Sequence, residues 1–281
     1  MKKIILTTLL LSTLVMAQNS FIYKYSKKDF SNSATKLEGK IQDLGINLSV
    51  KQHQFSLGYI NDKVDREHYL SHNTLESLDV KKYNLKYENK INEALSLKAN
   101  YIKIIDNLAP TDQGKIYGLG AKYNINKGLE LAVDLYKSDY KTFDVHQYDF
   151  SLSKKLKIDN LKVKVSAIVK SINIDGEKYG SYSFDDKDYL TAGLKVNANY
   201  NSYLLGAQAF FGKRVFTVFN DGTKVQHHAM EQDKRYMISL GKKFKDFDVV
   251  LAYLYQNGKE LPENKDDVDT SVTTLAFKYN F

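Results

Sequence analysis

The side chains that could carry chemistry in this sequence are, first, its six histidines. His68 and His72 stand four residues apart, which is a metal-binding spacing in a helix, but the residues around them are polar and typical of a loop. His227 and His228 lie in another predicted loop, and no Gly-x-Ser-x-Gly sequence of a serine hydrolase is present. The sequence therefore predicts no metal, no cofactor and no catalytic residue. The alternative is a hydrolase that assembles its site from residues distant in the sequence.

Apolar residues alternate with other residues along the chain, and many of the intervening residues are lysines. Tyr117, Leu119 and Ala121 are separated by single residues that are small, polar or basic, which is the period of a β-strand with one apolar face. The pattern recurs about fourteen times, although twelve or sixteen strands are also compatible with it. The predicted strands contain residues 21–25, 44–50, 55–59, 83–87, 95–101, 117–125, 129–135, 148–152, 161–169, 190–196, 203–211, 236–240, 247–255 and 275–281.

Short turns and longer connections alternate between these strands, which predicts an all-β, antiparallel up-and-down barrel. Beyond residue 17 the sequence contains no stretch of 18 apolar residues, and the mean hydropathy of the whole chain is -0.44. A transmembrane barrel reconciles this low hydropathy with a membrane, because only alternate residues of each strand face lipid. The chain has 21 tyrosines and no tryptophan, so we expect aromatic girdles built mainly from tyrosine.

The first 17 residues have the features of an export signal. Met1 is followed by two lysines, residues 4–16 are largely apolar, and Ala17 stands where a signal peptidase would cut. The apolar run is too short to anchor the chain in a bilayer. We therefore expect a signal peptide at residues 1–17 and a transmembrane barrel domain at residues 18–281. The absence of cysteine excludes a disulfide framework in the exported protein.

The last seven residues place Leu275, Phe277, Tyr279 and Phe281 on one face of a final strand. This ending resembles the C-terminal signature of Gram-negative outer-membrane β-barrel porins. The resemblance implies an outer-membrane location, contact with lipid and lipopolysaccharide, and recognition of this strand by the barrel-assembly machinery. It also implies passive diffusion of small hydrophilic solutes. An apolar edge strand of a water-soluble protein is the alternative for these residues taken alone.

The phase of the apolar residues predicts which charged side chains line the lumen. Basic residues outnumber acidic ones in this set, so the sequence favours a pore that prefers anions. The alternative is that many of these residues lie at strand ends or pair with acids and carry no selectivity. The predicted lining residues are Lys82, Lys86, Lys98, Lys122, Lys162, Lys164, Lys170, Lys195, Arg214, Arg235, Lys243, Glu130, Asp134 and Asp149.

Three connections on the long-loop side have features of their own. Residues 216–230 alternate around Asn220, Asp221 and Gly222, which predicts a hairpin that extends well above the membrane. A second turn is predicted at residues 175–176, and residues 63–78 are the predicted loop that folds over or into the barrel mouth. Each of these could instead be a solvated loop. A few apolar residues fall on the inward phase of late strands, where they could narrow the lumen, contact an inserted loop or bind an apolar substrate: Phe210, Met237, Val250, Ala252 and Leu254.

The sequence leaves several functions open. A transporter for hydrophobic compounds would need an N-terminal plug, and residues 18–20 are too few to form one. A barrel enzyme and an adhesin with a sealed lumen are also compatible with the sequence. Basic residues are spread through all strands, which disfavours nucleic-acid binding, and either a monomer or a homo-oligomer is compatible with the pattern.

Overall fold

The computed structural model describes residues 19–68, 71, 73–126 and 128–281. The predicted signal peptide lies outside these residues, as do His72 and Lys127. The described part of the chain contains no helix that is long and apolar enough to cross a membrane. Its strands are β1 (Ser20–Ser31), β2 (Lys36–Val50), β3 (His53–Glu67), β4 (Thr74–Lys90), β5 (Leu95–Asp106), β6 (Lys115–Asn126), β7 (Leu129–Asp139), β8 (Phe143–Ile158), β9 (Leu161–Gly176), β10 (Lys178–Tyr179), β11 (Tyr182–Ser183), β12 (Asp188–Tyr200), β13 (Tyr203–Arg214), β14 (Val218–Phe219), β15 (Lys224–Val225), β16 (Met230–Lys243), β17 (Phe247–Glu260) and β18 (Lys265–Asn280).

Fourteen of these strands form one closed antiparallel barrel, which confirms the predicted fold and strand number. Strands β1 and β18 close it, with Ser20 opposite Asn280 and Ser31 opposite Asp269. The other four strands form two small hairpins, β10 with β11 and β14 with β15. Closure leaves the barrel without an open edge, so the main-chain hydrogen bonds of the wall are satisfied within the wall itself.

The barrel has two different ends. One end carries Ser20, Asn280 and the short turns, such as residues 51–52 and 201–202; we call it the turn end. The opposite end, the loop end, carries the longer connections at residues 107–114, 177–187 and 215–229. This asymmetry is the one that the alternation of short and long connections predicts.

The outward face of the barrel is apolar, as the strand phase predicts. Leu119, Leu190 and Ile238 are 65%, 64% and 64% exposed, although each is a large aliphatic residue within a barrel strand. Gly118 and Gly120 flank Leu119 and point inward, against Tyr136 and Asp134. An apolar band of this kind on the outside of a closed barrel is typical of a lipid-facing wall.

Two predicted connections at the loop end are wrong. Residues 63–78, predicted as a loop that folds into the mouth, belong mainly to β3 and β4, which continue to Glu67 and from Thr74. The predicted turn at residues 175–176 is the end of β9, where Gly176 pairs with Phe143 of β8. In both cases a neighbouring strand offers a hydrogen-bonded ladder, which extends the strand through residues of weak strand propensity.

The predicted projecting hairpin at residues 216–230 is also wrong in direction. A turn does form at residues 220–223, between β14 and β15, but this hairpin lies inside the barrel. Val218 and Val225 are 1% and 5% exposed. Burying these apolar side chains in the lumen removes them from water, which a hairpin standing above the membrane would not do.

We expect Gly193→Ala to destabilise the barrel by about 1–3 kcal/mol, because a Cβ there would lie 2.4 Å from the ring of Phe210 and force that ring out of its position. The matched control is Gly45→Ala, whose Cβ would meet its nearest atoms at 3.7 Å. Urea unfolding of both refolded variants in detergent measures the difference. Equal stabilities for the two variants would contradict the close packing of the Phe210 ring against Gly193 of β12.

Candidate functional site

The lumen contains an inward-folded segment, residues 215–229, which we call the plug. It leaves the wall after Arg214 and rejoins it at Met230. Its base contacts Asp106 at the loop end of β5, and its tip contacts Lys98 of the same strand. Eight positions along β5 separate these two contacts, which corresponds to about 26 Å of strand. The plug therefore runs along the lumen from the loop end toward the turn end.

The tip of the plug is a carboxylate held by three lysines of the wall. Asp221 forms ion pairs with Lys86 of β4, Lys98 of β5 and Lys122 of β6, the last at 3.4 Å. Beside it, Gly222 adopts φ +82 and lies against Asn100, so closely that a Cβ would overlap the amide. A left-handed backbone and a close approach both require glycine at this position.

Two acids of the wall complete the cluster around the tip. Asp134 of β7 lies 2.6 Å from Nζ of Lys98, and Glu88 of β4 lies 2.8 Å from Nζ of Lys122 and 3.5 Å from Nζ of Lys86. With Asp221, three carboxylates face three ammonium groups. With the tip docked, the formal charge of this cluster is therefore zero. Each of the three lysines also has one acid partner other than Asp221.

Side-chain groups of the wall hold the flanks of the plug through its main chain. The amide of Gln147 accepts a hydrogen bond from the Val218 N–H at 2.7 Å and donates one to the Val218 carbonyl at 2.9 Å, as a neighbouring strand would. Lys170 donates to the same carbonyl at 3.1 Å and pairs with Asp149. On the other limb, Lys82 donates to the Val225 carbonyl at 3.3 Å.

Side chains of the plug also reach the wall on both sides. The guanidinium of Arg235 lies 4.6 Å from the ring centroid of Phe219, and Phe210 packs edge-on against the same ring. Lys224 forms an ion pair with Asp43 of β2 at 2.9 Å. The sequence leaves three roles open for the inward apolar residues of the late strands. The contact between Phe210 and the plug fits one of them, contact with an inserted loop.

The base of the plug is an aromatic core. Phe216 is fully buried, with ring centroids of Phe143 and Tyr179 at 4.8 Å and 5.7 Å. Tyr140 and Phe184 complete the surroundings of this ring at 5.9 Å and 6.0 Å. Since Tyr179 and Phe184 belong to the connection at residues 177–187, two loop-end connections pack together at this end of the lumen.

Two consecutive histidines follow on the returning limb of the plug. Nε2 of His227 lies 3.0 Å and Nε2 of His228 lies 3.2 Å from Oδ2 of Asp106. Burial lowers the pKa of His227 well below its ordinary value and also lowers the pKa of His228, even though the neighbouring carboxylate acts in the opposite direction. Both rings are therefore neutral near pH 7.

The structure places the predicted lining residues in three groups. Lys82, Lys86, Lys98, Lys122, Lys170 and Arg235 contact the plug directly. Asp134 and Asp149 pair with lysines of that group, Glu130 pairs with Lys164, Lys195 is half-buried, and Arg214 is buried at the root of the plug. Lys162 and Lys243 are exposed residues near the turn end.

Sequence reasoning misses the residues that seat the plug. The pattern indicates only a turn at Asp221, and it does not single out Asp106, Gln147 or Phe216. The available signal is the apolar content of residues 215–219, which a solvated loop would not need. Ion pairs inside the barrel join many of the predicted lining lysines to acids, which is one of the possibilities that the sequence leaves open for them.

Part of the inward face of the late strands carries apolar side chains that are only half-buried. Met237 of β16, Leu254 of β17 and Val272 of β18 lie opposite one another, and Val250 lies further along β17 toward the turn end. We call these four residues the apolar stripe. Inward residues that are half-exposed border unfilled space in the lumen.

We expect Gln147→Leu to loosen the plug, because it leaves the buried N–H and C=O of Val218 without their amide partner. A loss of about 1–3 kcal/mol for such groups corresponds to about 5- to 150-fold faster local opening. Hydrogen exchange of peptides that cover residues 215–229, followed by mass spectrometry, measures the effect. Gln208→Leu makes the same chemical change on β13 and should leave these peptides protected; equal exchange in both variants would contradict the assigned role of Gln147.

No protein-family model matches the chain, and a search of characterised proteins finds no relative of its sequence. Its structure is nevertheless similar to solved outer-membrane proteins. Omp33 of Acinetobacter baumannii is 13% identical, with a TM-score of 0.52 over 94% of this chain and 99% of that one. The toluene transporter TbuX of Ralstonia pickettii is 10% identical, with a TM-score of 0.61 over 95% and 90% of the two chains.

A FadL homologue of Pseudomonas aeruginosa is also similar to this chain in structure. It is 10% identical, with a TM-score of 0.58 over 94% of this chain and 90% of that one. Identities this low carry information on the fold and not on the solute. The chain has the fold of the Gram-negative outer-membrane β-barrels.

Proposed function

We propose that this protein is an outer-membrane channel for the passive diffusion of small hydrophilic solutes, and that the plug controls its opening. The apolar outer wall and the polar, charged lumen support a membrane pore. In this proposal the leader directs export, the turn end faces the periplasm, and the loop end faces the outside. The wall contacts outer-membrane lipid and lipopolysaccharide.

The observation that carries the proposal is the way in which the plug tip is seated. Each lysine that holds Asp221 has another acid: Asp134 for Lys98, and Glu88 for both Lys86 and Lys122. Breaking a buried ion pair is costly when a charge remains unpaired. Here the departing tip leaves every lysine with a carboxylate nearby, and the side chain of Asp221, already 34% exposed, becomes hydrated.

The two halves of the plug differ in what holds them. Hydrogen bonds and ion pairs hold the tip, and water in the lumen can replace these. Apolar packing around Phe216 holds the base, and this packing is lost if the base is hydrated. We therefore infer that the tip, together with the returning limb that carries His227 and His228, moves away from the wall, while the packing around Phe216 stays in place.

The lumen with the tip displaced has an excess of positive charge, which favours anions. Three lysines then face only Glu88 and Asp134, and Arg235 and Lys195 add two further basic groups on the inward face. A lumen of one predominant sign concentrates counter-ions. The proposed anion preference is thus a property of the open state.

The last strand supports assembly by the barrel-assembly machinery. Leu275, Phe277, Tyr279 and Phe281 lie on its outward face and are 54%, 40%, 46% and 53% exposed. In this proposal the assembly machinery recognises these four residues.

We also propose that the protein is not an enzyme. His53 bonds the Tyr87 hydroxyl, and His227 and His228 bond Asp106, so these three rings are engaged in contacts without a serine nucleophile.

We expect Asp221→Lys to raise the open probability of the channel, because the new ammonium group is repelled by Lys86, Lys98 and Lys122. Single-channel recordings of refolded protein in planar bilayers measure the fraction of time spent open. Asp185→Lys, an equal change of charge in the exposed connection at residues 177–187, is the control. Unchanged gating in Asp221→Lys would contradict the seat of the plug, and a wild-type protein that never conducts would overturn the proposed function.

A disulfide provides the converse test, since the chain has no cysteine of its own. A Cβ at position 222 would contact the Asn100 side chain, so Asn100→Cys with Gly222→Cys brings two thiols together. We expect the oxidised protein to stay closed and the reduced protein to open. Gly222→Cys alone, treated with the same oxidant, separates the crosslink from the effect of a side chain at a left-handed position. Conductance that is equal in the oxidised and reduced double variant would show that the plug does not move.

We expect anion selectivity in the Asp221→Asn variant, and we expect Lys195→Gln in that background to reduce it. Lys195 is a half-buried inward residue of β12, whereas Lys162 is exposed near the turn end. Lys162→Gln in the same background is therefore the matched control. Reversal potentials in a salt gradient measure the preference. A cation-selective open state, or equal effects of the two substitutions, would contradict this assignment.

A second candidate function is transport of small apolar molecules, and the apolar stripe favours it. Met237, Val250, Leu254 and Val272 border unfilled lumen, where a polar solute gains nothing from them. Liposome assays distinguish the two candidates. Swelling in sugar or amino-acid solutions supports the hydrophilic channel, whereas uptake of a monoaromatic hydrocarbon that falls in Leu254→Asp supports the second candidate.

A further inference from the structure

Three metal-binding side chains meet where the base of the plug touches the wall. The donor atoms of Asp106, His227 and His228 all lie within 4.8 Å of one another. Asp106 and His227 are 4% and 2% exposed, and the side chain of His228 is 24% exposed. One ligand belongs to β5 and two belong to the plug, so folding of the plug into the lumen creates the cluster.

We propose that Asp106, His227 and His228 form a binding site for one divalent transition-metal ion of the zinc class. Imidazole nitrogens with a carboxylate oxygen suit zinc and its neighbours cobalt, nickel and copper. Calcium and magnesium are bound by oxygen ligands, which makes them poor candidates for a site with two histidines. Three protein ligands leave a fourth position for water.

Two of the three ligand-atom distances match those of a tetrahedral ion. Metal–ligand bonds of about 2.0–2.2 Å place neighbouring ligand atoms about 3.3 Å apart in a tetrahedron. The distances from Oδ2 of Asp106 to the two Nε2 atoms are 3.0 Å and 3.2 Å. Each ring presents a lone pair at Nε2 when its proton occupies Nδ1, so an ion can enter with small movements.

A cavity at the loop end reaches this cluster. Its volume is about 170 Å³, and His228, Thr35 and Glu263 are among its lining residues. Lys36 also lines it and forms an ion pair with Glu260 at 2.5 Å. On the lumen side, Lys82 is a cation whose charge weakens metal binding. The cavity and the exposed edge of His228 together give an ion a path from the outside to the cluster.

An ion at this site would fasten the returning limb of the plug to β5. This consequence rests on the proposed function, whereas the metal site itself does not. Only the arrangement with the plug folded inward brings all three ligands together, so binding favours that arrangement by linkage. At a free metal concentration 100 times the Kd, the population with the ligands assembled rises about 100-fold relative to one in which they are apart.

The test is titration of the refolded full chain in detergent with zinc chloride after treatment with EDTA, followed by calorimetry. We expect saturable binding of one zinc ion per chain. Asp106→Asn, and His227→Gln combined with His228→Gln, should each weaken it by more than about tenfold. Cobalt(II) chloride should give the visible absorption of a tetrahedral centre, which zinc then displaces.

The control is His146→Gln, which removes a histidine of β8 that is not part of the cluster. It should bind zinc as the wild-type protein does. Heat-modifiable migration on gels shows that each variant is a folded barrel, and Asp106→Asn keeps the shape of the side chain. Absence of saturable binding to the wild-type protein would overturn the proposal. Binding that persists unchanged in Asp106→Asn and in the double histidine variant would overturn it as well.

Bilayer recordings with and without zinc chloride separate this inference from the proposed function. Fewer openings with zinc, in the wild-type protein and not in Asp106→Asn, support a metal-fastened plug. Zinc binding with unchanged openings leaves the metal site in place and contradicts its effect on the plug. Zinc binding by a protein that never conducts contradicts the proposed channel and not the site.

Discussion

Closure of the hydrogen-bonded ladder is the constraint on which the rest of this structure depends. A wall that faces lipid has no water to satisfy its peptide groups, so each strand must pair on both sides, and β1 must find β18 across the whole length of the chain. Once the wall is closed, side-chain direction is a matter of strand phase alone. Apolar residues such as Leu119 and Leu190 face outward, and lysines and acids are enclosed in the lumen.

Enclosing so many charges requires that they find partners inside the barrel. Neighbouring strands supply pairs such as Lys164 with Glu130 and Lys170 with Asp149. The plug supplies Asp221 to three lysines and uses the two-sided amide of Gln147 as a substitute for a strand neighbour. The lumen thus contains a segment that is matched to it in charge at the tip and in apolar surface at the base.

This division explains how one segment can be well packed and still be the candidate for motion. A base built around Phe216 loses apolar contacts if it leaves, whereas the tip exchanges one set of polar partners for water and leaves the wall lysines with Asp134 and Glu88. Two histidines on the returning limb add a third kind of contact, to Asp106, whose strength a bound ion would change.

The sequence by itself determined the barrel. Alternation is local, so Tyr117, Leu119 and Ala121 reveal their strand and its lipid face without any knowledge of their neighbours, and the repeated pattern predicts fourteen strands. The direction of residues 215–229 was decided only by the tertiary structure. A turn around Asp221 and Gly222 has the same sequence whether the hairpin points outward or inward; what selects the inward direction is a set of partners on β4, β5, β6 and β8 that are distant in the chain. For the same reason Asp106, 121 residues before His227, could be joined to the two histidines only by the fold.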